Sequence, residues 1–105
     1  GDGASIYSYG NANQSVGYAG FASGANSTAG VFAAGVTTIL DYANTNKFKT
    51  VRALSGFDQN VAGGEELDLT SSAWRSTSPI TQIDLTAETS ANFLEFSQFA
   101  LYGVK

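Results

Sequence analysis

Apolar and polar side chains alternate in several short segments of the chain. In residues 36–42, Val36 and Leu40 share one side of an extended strand, because successive side chains of a strand point to opposite faces. Further along, Leu67 and Leu69 alternate with polar neighbours in the same way. From this pattern we predict seven or eight short strands: two or three among residues 4–9, 15–23 and 30–34, and the others at 36–42, 47–54, 66–70, 80–86 and 96–104.

Turn-forming residues separate the predicted strands. Residues 44–46 (Asn-Thr-Asn) indicate a turn, and the Gly- and Asn-containing segment 55–64 indicates a loop. In residues 87–96 a helix competes with irregular structure, but the Thr, Ser and Asn residues there favour a loop or a single turn. Short strands with turn signals every 8–12 residues or so, as here, are typical of sandwiches and barrels. We therefore expect an all-β fold, an antiparallel β-sandwich of the jelly-roll kind.

The composition fits one domain and excludes several kinds of chemistry. The chain has 105 residues, 43% of them hydrophobic, which suits a single thin-cored domain spanning residues 1–105. It contains no Cys, His or Met, so disulfides, Cys/His metal sites and Ser-His-Asp or Cys-His catalysis are excluded.

The charge balance bears on the partners. Five Lys and Arg stand against nine Asp and Glu, giving a net charge of −4. So few cations do not make the basic stripe that follows a phosphate backbone. No apolar run approaches the roughly 20 residues of a membrane span. We therefore expect neither nucleic acid nor a membrane as a partner.

Carboxylates are the remaining candidates for catalysis. Glu65, Glu66 and Asp68 cluster in the sequence, with Asp58 just upstream. Glycoside hydrolysis needs two carboxyl groups roughly 5–10 Å apart across a cleft, and a small sandwich leaves little room for a cleft. We therefore interpret the cluster as a solvated acidic rim and expect no catalytic residue.

A calcium loop is a second hypothesis for the acidic region. The sequence DQNVAG begins like an EF-hand loop, with Asp58, Asn60 and Gly63 at its first, third and sixth positions. The fifth position is Ala62 and the twelfth is Leu69, where a carboxylate is required, so the motif fails. The opening Gly-Asp-Gly also lacks the rest of a phosphate-binding motif. We expect neither a cofactor nor a metal, with a calcium site of lower symmetry as the alternative.

Four aromatic side chains are candidates for a glycan-binding surface. Tyr7, Tyr9, Tyr18 and Trp74 each offer a flat apolar ring with a polar edge, which suits stacking on a pyranose. Core packing is the commoner role of such rings, and we expect Trp74 to be buried and structural. Burial of the rings, or their clustering on an exposed face, decides between the two hypotheses.

Three stretches of the chain resemble a family of tailed-bacteriophage virion proteins. They are ILDYANTNKFKTVR at residues 39–52, WRSTSPITQI at 74–83 and the ending NFLEFSQFALYGVK at 92–105. The opening GDGAS at 1–5 is similar to a segment from the middle of that family's module. The resemblance implies that the chain is the C-terminal part of a longer β-sandwich module, and it supplies no catalytic residues.

The resemblance implies a non-enzymatic structural role in the virion. The chain is then a building block that decorates the capsid or forms part of the tail or fibre, with other virion proteins as partners. The alternative is a glycan-binding, receptor-recognition module at a fibre tip that contacts host surface glycan. An incomplete sandwich exposes its inner face and unpaired backbone groups, so strands are expected from upstream in the polypeptide or from another subunit. We therefore expect a homo-oligomer, with a trimer as the arrangement in a fibre.

Overall fold

Three strands form one antiparallel sheet. A computed structural model of the chain describes residues 8, 10–24, 27–62, 64–88 and 92–104. Within them lie β1 (Ala34–Leu40), β2 (Lys49–Asp58) and β3 (Glu65–Trp74), with β2 in the centre. These residues include no helix, so the all-β prediction is confirmed. Apart from residue 8, the strand predicted at 4–9 lies outside the described residues.

The observed strands confirm three of the predicted ones with shifted bounds: β1 begins and ends two residues earlier than predicted, β2 begins two residues later, and β3 is longer at both ends. In β1 four consecutive residues, Val-Thr-Thr-Ile at 36–39, are β-branched and favour an extended backbone. β2 continues four residues beyond the predicted 47–54, because the residues up to Asp58 still pair with β3. The loop therefore begins only at Gln59, whose N–H donates to Gly64 O at 2.9 Å and closes the β2–β3 connection.

The register sorts the side chains of the sheet into two faces. Successive residues of a strand point to opposite sides, and in β2 the neighbours Ala53 and Leu54 are 2% and 50% exposed. We call the side of Ala53 the covered face; the cross-strand partners of Ala53 on it are Thr37 in β1 and Thr70 in β3. The side of Leu54 is the uncovered one.

An irregular segment around Ala19 and Phe21 lies over the covered face. Thr37 Oγ1 donates a hydrogen bond to Ala19 O at 2.9 Å, and Phe21 N–H donates to Ser55 Oγ at 3.2 Å. The Phe21 and Phe57 rings meet edge to face with their centroids 4.9 Å apart. The layer on this face is therefore non-repetitive backbone, and the described residues show a single open sheet.

The strands predicted at residues 15–23 and 30–34 are not formed: Gly24 makes a single antiparallel bridge with Phe93, and the first ladder begins at Ala34. Gly20 has a φ of +118° and Gly30 a φ of +77°, both far from the extended region. Phe21 packs on Phe57 of the sheet as an individual side chain and Tyr18 packs on Phe21, so the spacing of these aromatic residues arises without a strand.

The strands predicted at residues 80–86 and 96–104 are also not formed. Ile80 N–H donates to Tyr42 O at 2.8 Å, but no ladder follows from that bond. Residues 80–86 alternate like a strand and residues 96–104 carry large apolar residues on both faces, yet among the described residues neither segment has a neighbouring strand to pair with. The described residues of 87–96 contain turns and no helix, which confirms the loop or single turn predicted there.

Candidate functional site

Lys49, the first residue of β2, is 0% exposed. Its Nζ donates to three backbone carbonyls: Asn44 O at 2.7 Å, Ser76 O at 3.2 Å and Lys47 O at 3.3 Å. An ammonium group has three N–H donors, so each donor has one acceptor. Asn44 and Lys47 belong to the β1–β2 connection and Ser76 follows β3, so Lys49 ties these two segments together.

The arrangement around Lys49 is structural. Every N–H of the ammonium group is committed to a peptide oxygen, and an ammonium nitrogen has no lone pair with which to attack a substrate. In the sequence, Lys49 is distinguished only as one of five cations. No feature of its spacing or of its neighbours in the sequence signals a buried lysine.

Large apolar side chains stand on the uncovered side of the sheet. Val36 is 70% exposed, Leu54 50%, Leu67 78% and Leu69 77%. Val36, Leu54 and Leu69 form one cross-strand row, and Leu67 stands next to Leu69 along β3. We call these four residues the apolar face. Apolar side chains of an amphipathic strand normally turn toward a core, whereas no described residue covers these.

A shallow groove crosses the apolar face. Its lining includes Val36, Leu54 and Leu67, together with Ala34 and Gly56. Ala34 and Gly56 are cross-strand partners with little or no side chain, so they form its floor. A Cβ at Gly56 would lie 2.7 Å from Glu66 O, so glycine is required there by the close approach of β3. The groove is therefore fixed by the backbone of the sheet.

Charged side chains of opposite sign flank the apolar face. Arg52 lies one row beyond Leu54, and Asp58 faces Glu65 across β2 and β3 at the other end. Like charges directly opposite each other in a sheet are destabilising. Within the described part of the chain, Arg52 and Glu65 make no ion pair, and the Asp58 carboxylate accepts one hydrogen bond, from Asn60 N–H at 2.7 Å.

The pleat of β3 divides the carboxylate cluster noted in the sequence. Glu66 and Asp68 lie on the covered side and Glu65 on the side of the apolar face. The structure therefore does not bring the three into one cleft. Across the described residues no group of three or more acidic side chains could hold a metal ion. Gly63, part of the calcium hypothesis, lies outside the described residues.

Of the four aromatic candidates for glycan stacking, the structure describes Tyr18 and Trp74. Tyr7 and Tyr9 lie outside the described residues. Tyr18 is 37% exposed and meets the Phe21 ring edge to face, with centroids 5.9 Å apart. Trp74 is 55% exposed. The expectation that Trp74 is buried is therefore wrong for this chain, because Trp74 ends an outer strand with no further strand beside it among the described residues.

The C-terminal segment adds further exposed apolar surface. Phe96 is 78% exposed, Leu101 and Tyr102 are each 83% and Val104 is 88%. The segment predicted as the final strand thus contains no strand and leaves these four side chains largely exposed, whereas the Phe99 ring meets the Phe93 ring edge to face with centroids 5.0 Å apart. Nowhere in the described residues is there a helix with the length and apolar character of a membrane span.

Comparison with protein-family models, with curated proteins and with solved structures finds no match to this chain. The similarity to phage virion proteins therefore stays a prediction from the sequence.

Proposed function

We propose that this chain is a non-enzymatic structural protein of a tailed-bacteriophage virion, a building block that decorates the capsid or forms part of the tail or fibre. The observation that carries this proposal is the apolar face, whose four side chains are 50–78% exposed. Monomeric soluble proteins rarely expose contiguous apolar patches of more than a few hundred Å². Subunits of assemblies bury such patches against neighbouring subunits. The resemblance of residues 39–52, 74–83 and 92–105 supports a virion as the assembly.

A jelly-roll-like sandwich is the form that we propose for the assembled domain. Strands β1, β2 and β3 make one layer, and a second sheet about 10 Å away buries the apolar face. That second layer comes from another subunit or from another virion protein. A structural role also agrees with the carboxylates, which the pleat of β3 separates, and with Lys49, whose donors are all engaged by carbonyls.

The test of this function is whether the chain belongs to phage particles. Particles purified on a density gradient are expected to contain the chain at a constant ratio to the major capsid protein, as measured by quantitative mass spectrometry. Cryo-electron microscopy of the same particles then places it on the capsid, the tail or the fibre. Recovery of the chain only in the soluble fraction contradicts the proposal.

Glycan recognition at a fibre tip is the second candidate, favoured by the 55% exposure of Trp74. Because the ring is more than half exposed, Trp74→Ala is expected to cost about 1–2 kcal/mol of unfolding free energy, less than the roughly 3–5 kcal/mol of a buried aromatic residue. If the ring stacks on a sugar, the same variant loses binding to host surface polysaccharide. Stability is measured by circular dichroism in urea, since Trp74 is the single tryptophan.

Phe48 provides the matched control, because it is a similarly exposed aromatic residue at 52%. Phe48→Ala is expected to leave polysaccharide binding unchanged. Unchanged binding by a folded Trp74→Ala variant removes Trp74 from the glycan hypothesis. A stability loss above about 3 kcal/mol would mean that the ring is buried in solution.

A further inference from the structure

We infer that the apolar face binds the same face of a second copy of this chain, with the strands of the two copies running in opposite directions across a twofold axis. This inference rests on the proposed function, since it names the partner of the face that carries it. A twofold interface is self-complementary: a feature at one distance from the axis must fit the feature at the same distance on the other side. The apolar face meets this requirement in shape and in charge.

The axis that satisfies the requirement crosses the strands at the level of Ser55. In the register of the sheet, Ser55 pairs with Gly35 in β1 and with Asp68 in β3, so these three positions define the line. A half-turn about this line generates the second copy. It places the residue before each of these positions in one copy over the residue after that position in the other copy. Each strand of one copy then lies over the same strand of the other copy.

Large side chains meet small ones about this axis in the two strands that line the groove. In β2, Leu54 comes to lie over Gly56 of the second copy, and in β1 Val36 comes to lie over Ala34 of the second copy. The floor of the groove, Ala34 and Gly56, thus receives the protruding side chains of the other copy. In β3, Leu67 of one copy meets Leu69 of the other. Such interdigitation is how the inner faces of packed sheets fill the space between them.

Opposite charges also meet about the same axis. Arg52 and Asp58 are each three residues from Ser55, so Arg52 of one copy faces Asp58 of the other, twice in the dimer. Within the chain Asp58 stands opposite a second carboxylate, Glu65, and none of these three side chains makes an ion pair among the described residues. Pairing with a second copy brings a cation to the carboxylate pair and relieves the repulsion.

The size of the face sets the affinity to be expected. Three strands spaced about 4.8 Å apart give a strip only about 15 Å wide. A strip of this width is too narrow to bury the roughly 800 Å² per partner of a standard interface. We therefore expect a reversible dimer in solution that dissociates on dilution into the micromolar range. Sedimentation velocity over a dilution series of residues 1–105 measures this equilibrium.

Charge reversal tests the geometry directly. Arg52→Asp places two carboxylates together at both contacts of the homodimer, and Asp58→Arg places two guanidinium groups together. Each variant alone is expected to dimerise at least about tenfold more weakly than the parent chain. A mixture of the two variants restores both contacts as opposite charges, and the mixed dimer is expected to approach parental affinity. This recovery shows that the single variants are folded.

Two exposed leucines test whether dimerisation depends on the apolar face or on exposed apolar side chains in general. Leu69, 77% exposed, lies on the apolar face, and Leu101, 83% exposed, lies in the C-terminal segment. Leu69→Lys is expected to abolish dimerisation, and Leu101→Lys to leave it unchanged. The circular dichroism of both variants is expected to match that of the parent, since neither side chain is buried in the monomer.

The outcomes separate this inference from the proposed function. A parent chain that remains monomeric at every concentration, or a trimer or larger array, overturns the twofold dimer. So does a mixture of Arg52→Asp and Asp58→Arg that stays as weak as its components. If such a chain is still a constant component of phage particles, the virion role stands and a different protein covers the face. If the chain dimerises as described but is absent from particles, the twofold dimer stands and the virion role is overturned.

Discussion

Replacing Lys49 with Met is expected to lower the free energy of unfolding by about 3–5 kcal/mol. The physical reason is that three carbonyls, those of Asn44, Lys47 and Ser76, lose their donor at once. Each buried acceptor left without a hydrogen bond costs about 1–3 kcal/mol before relaxation. A whole domain is stable by only about 5–15 kcal/mol, so the variant is expected to be largely unfolded at moderate urea concentrations.

The neighbouring Lys47 supplies the control for Lys49. Lys47 has the same side chain and charge but is exposed, so Lys47→Met is expected to change the unfolding free energy by less than about 0.5 kcal/mol. Urea denaturation followed by Trp74 fluorescence compares the two variants with the parent. Equal, small effects of the two substitutions would show that the ammonium of Lys49 is hydrated in solution and that its three bonds do not stabilise the sheet.

Gly20→Ala is expected to destabilise the protein by about 2–4 kcal/mol, because backbone strain and overpacking act at one position. The φ of +118° is a conformation that L-residues rarely adopt. In addition, a Cβ at Gly20 would lie 2.7 Å from both Cβ and Oγ of Ser55, which is 2% exposed and cannot move aside. The new methyl group therefore pushes the irregular segment off the covered face and weakens the hydrogen bond from Phe21 N–H to Ser55 Oγ.

Two other glycines separate the contributions to the Gly20 effect. Gly30 has a φ of +77°, and a Cβ added there would meet nothing within 4 Å. Gly30→Ala therefore reports backbone strain alone and is expected to cost about 1–2 kcal/mol. Gly103 has neither constraint, and Gly103→Ala is expected to be neutral. Thermal melts of the three variants give the comparison. A Gly20→Ala variant no less stable than Gly30→Ala would contradict the close contact with Ser55.

Alternation predicted the strands of the sheet where a partner strand exists and failed where none is described. Residues 36–40 and 66–70 pair with β2, whereas 80–86 alternate equally well and form no ladder with any described strand. Residues 96–104, which carry large apolar residues on both faces, form no ladder either. The side-chain pattern is local, but pairing depends on which segments meet in space. The positions at which Gly20 and Gly30 adopt positive φ were equally invisible, since glycine is compatible with either sign of φ.

The candidate site was predictable in its composition and not in its placement. The sequence identified Leu67 and Leu69 as the apolar side of a strand, but an apolar side is expected to face a core, and here it faces solvent. Lys49 was not predictable, because its burial depends on carbonyls from residues as distant as Ser76. The exposure of Trp74 depends on β3 being an outer strand, which is a property of the topology.

The enclosure of Lys49 also makes its amine a reporter of sheet opening. An acylating reagent reacts with the free amine, which a side chain with 0% exposure presents only when the surrounding carbonyls separate. Lys47, two residues away and exposed, reacts in the closed protein and provides an internal reference within one peptide. The ratio of the labelling rates of Lys49 and Lys47 therefore measures how often the sheet opens locally around Lys49. Any contact that holds the sheet closed slows the labelling of Lys49 and leaves that of Lys47 unchanged.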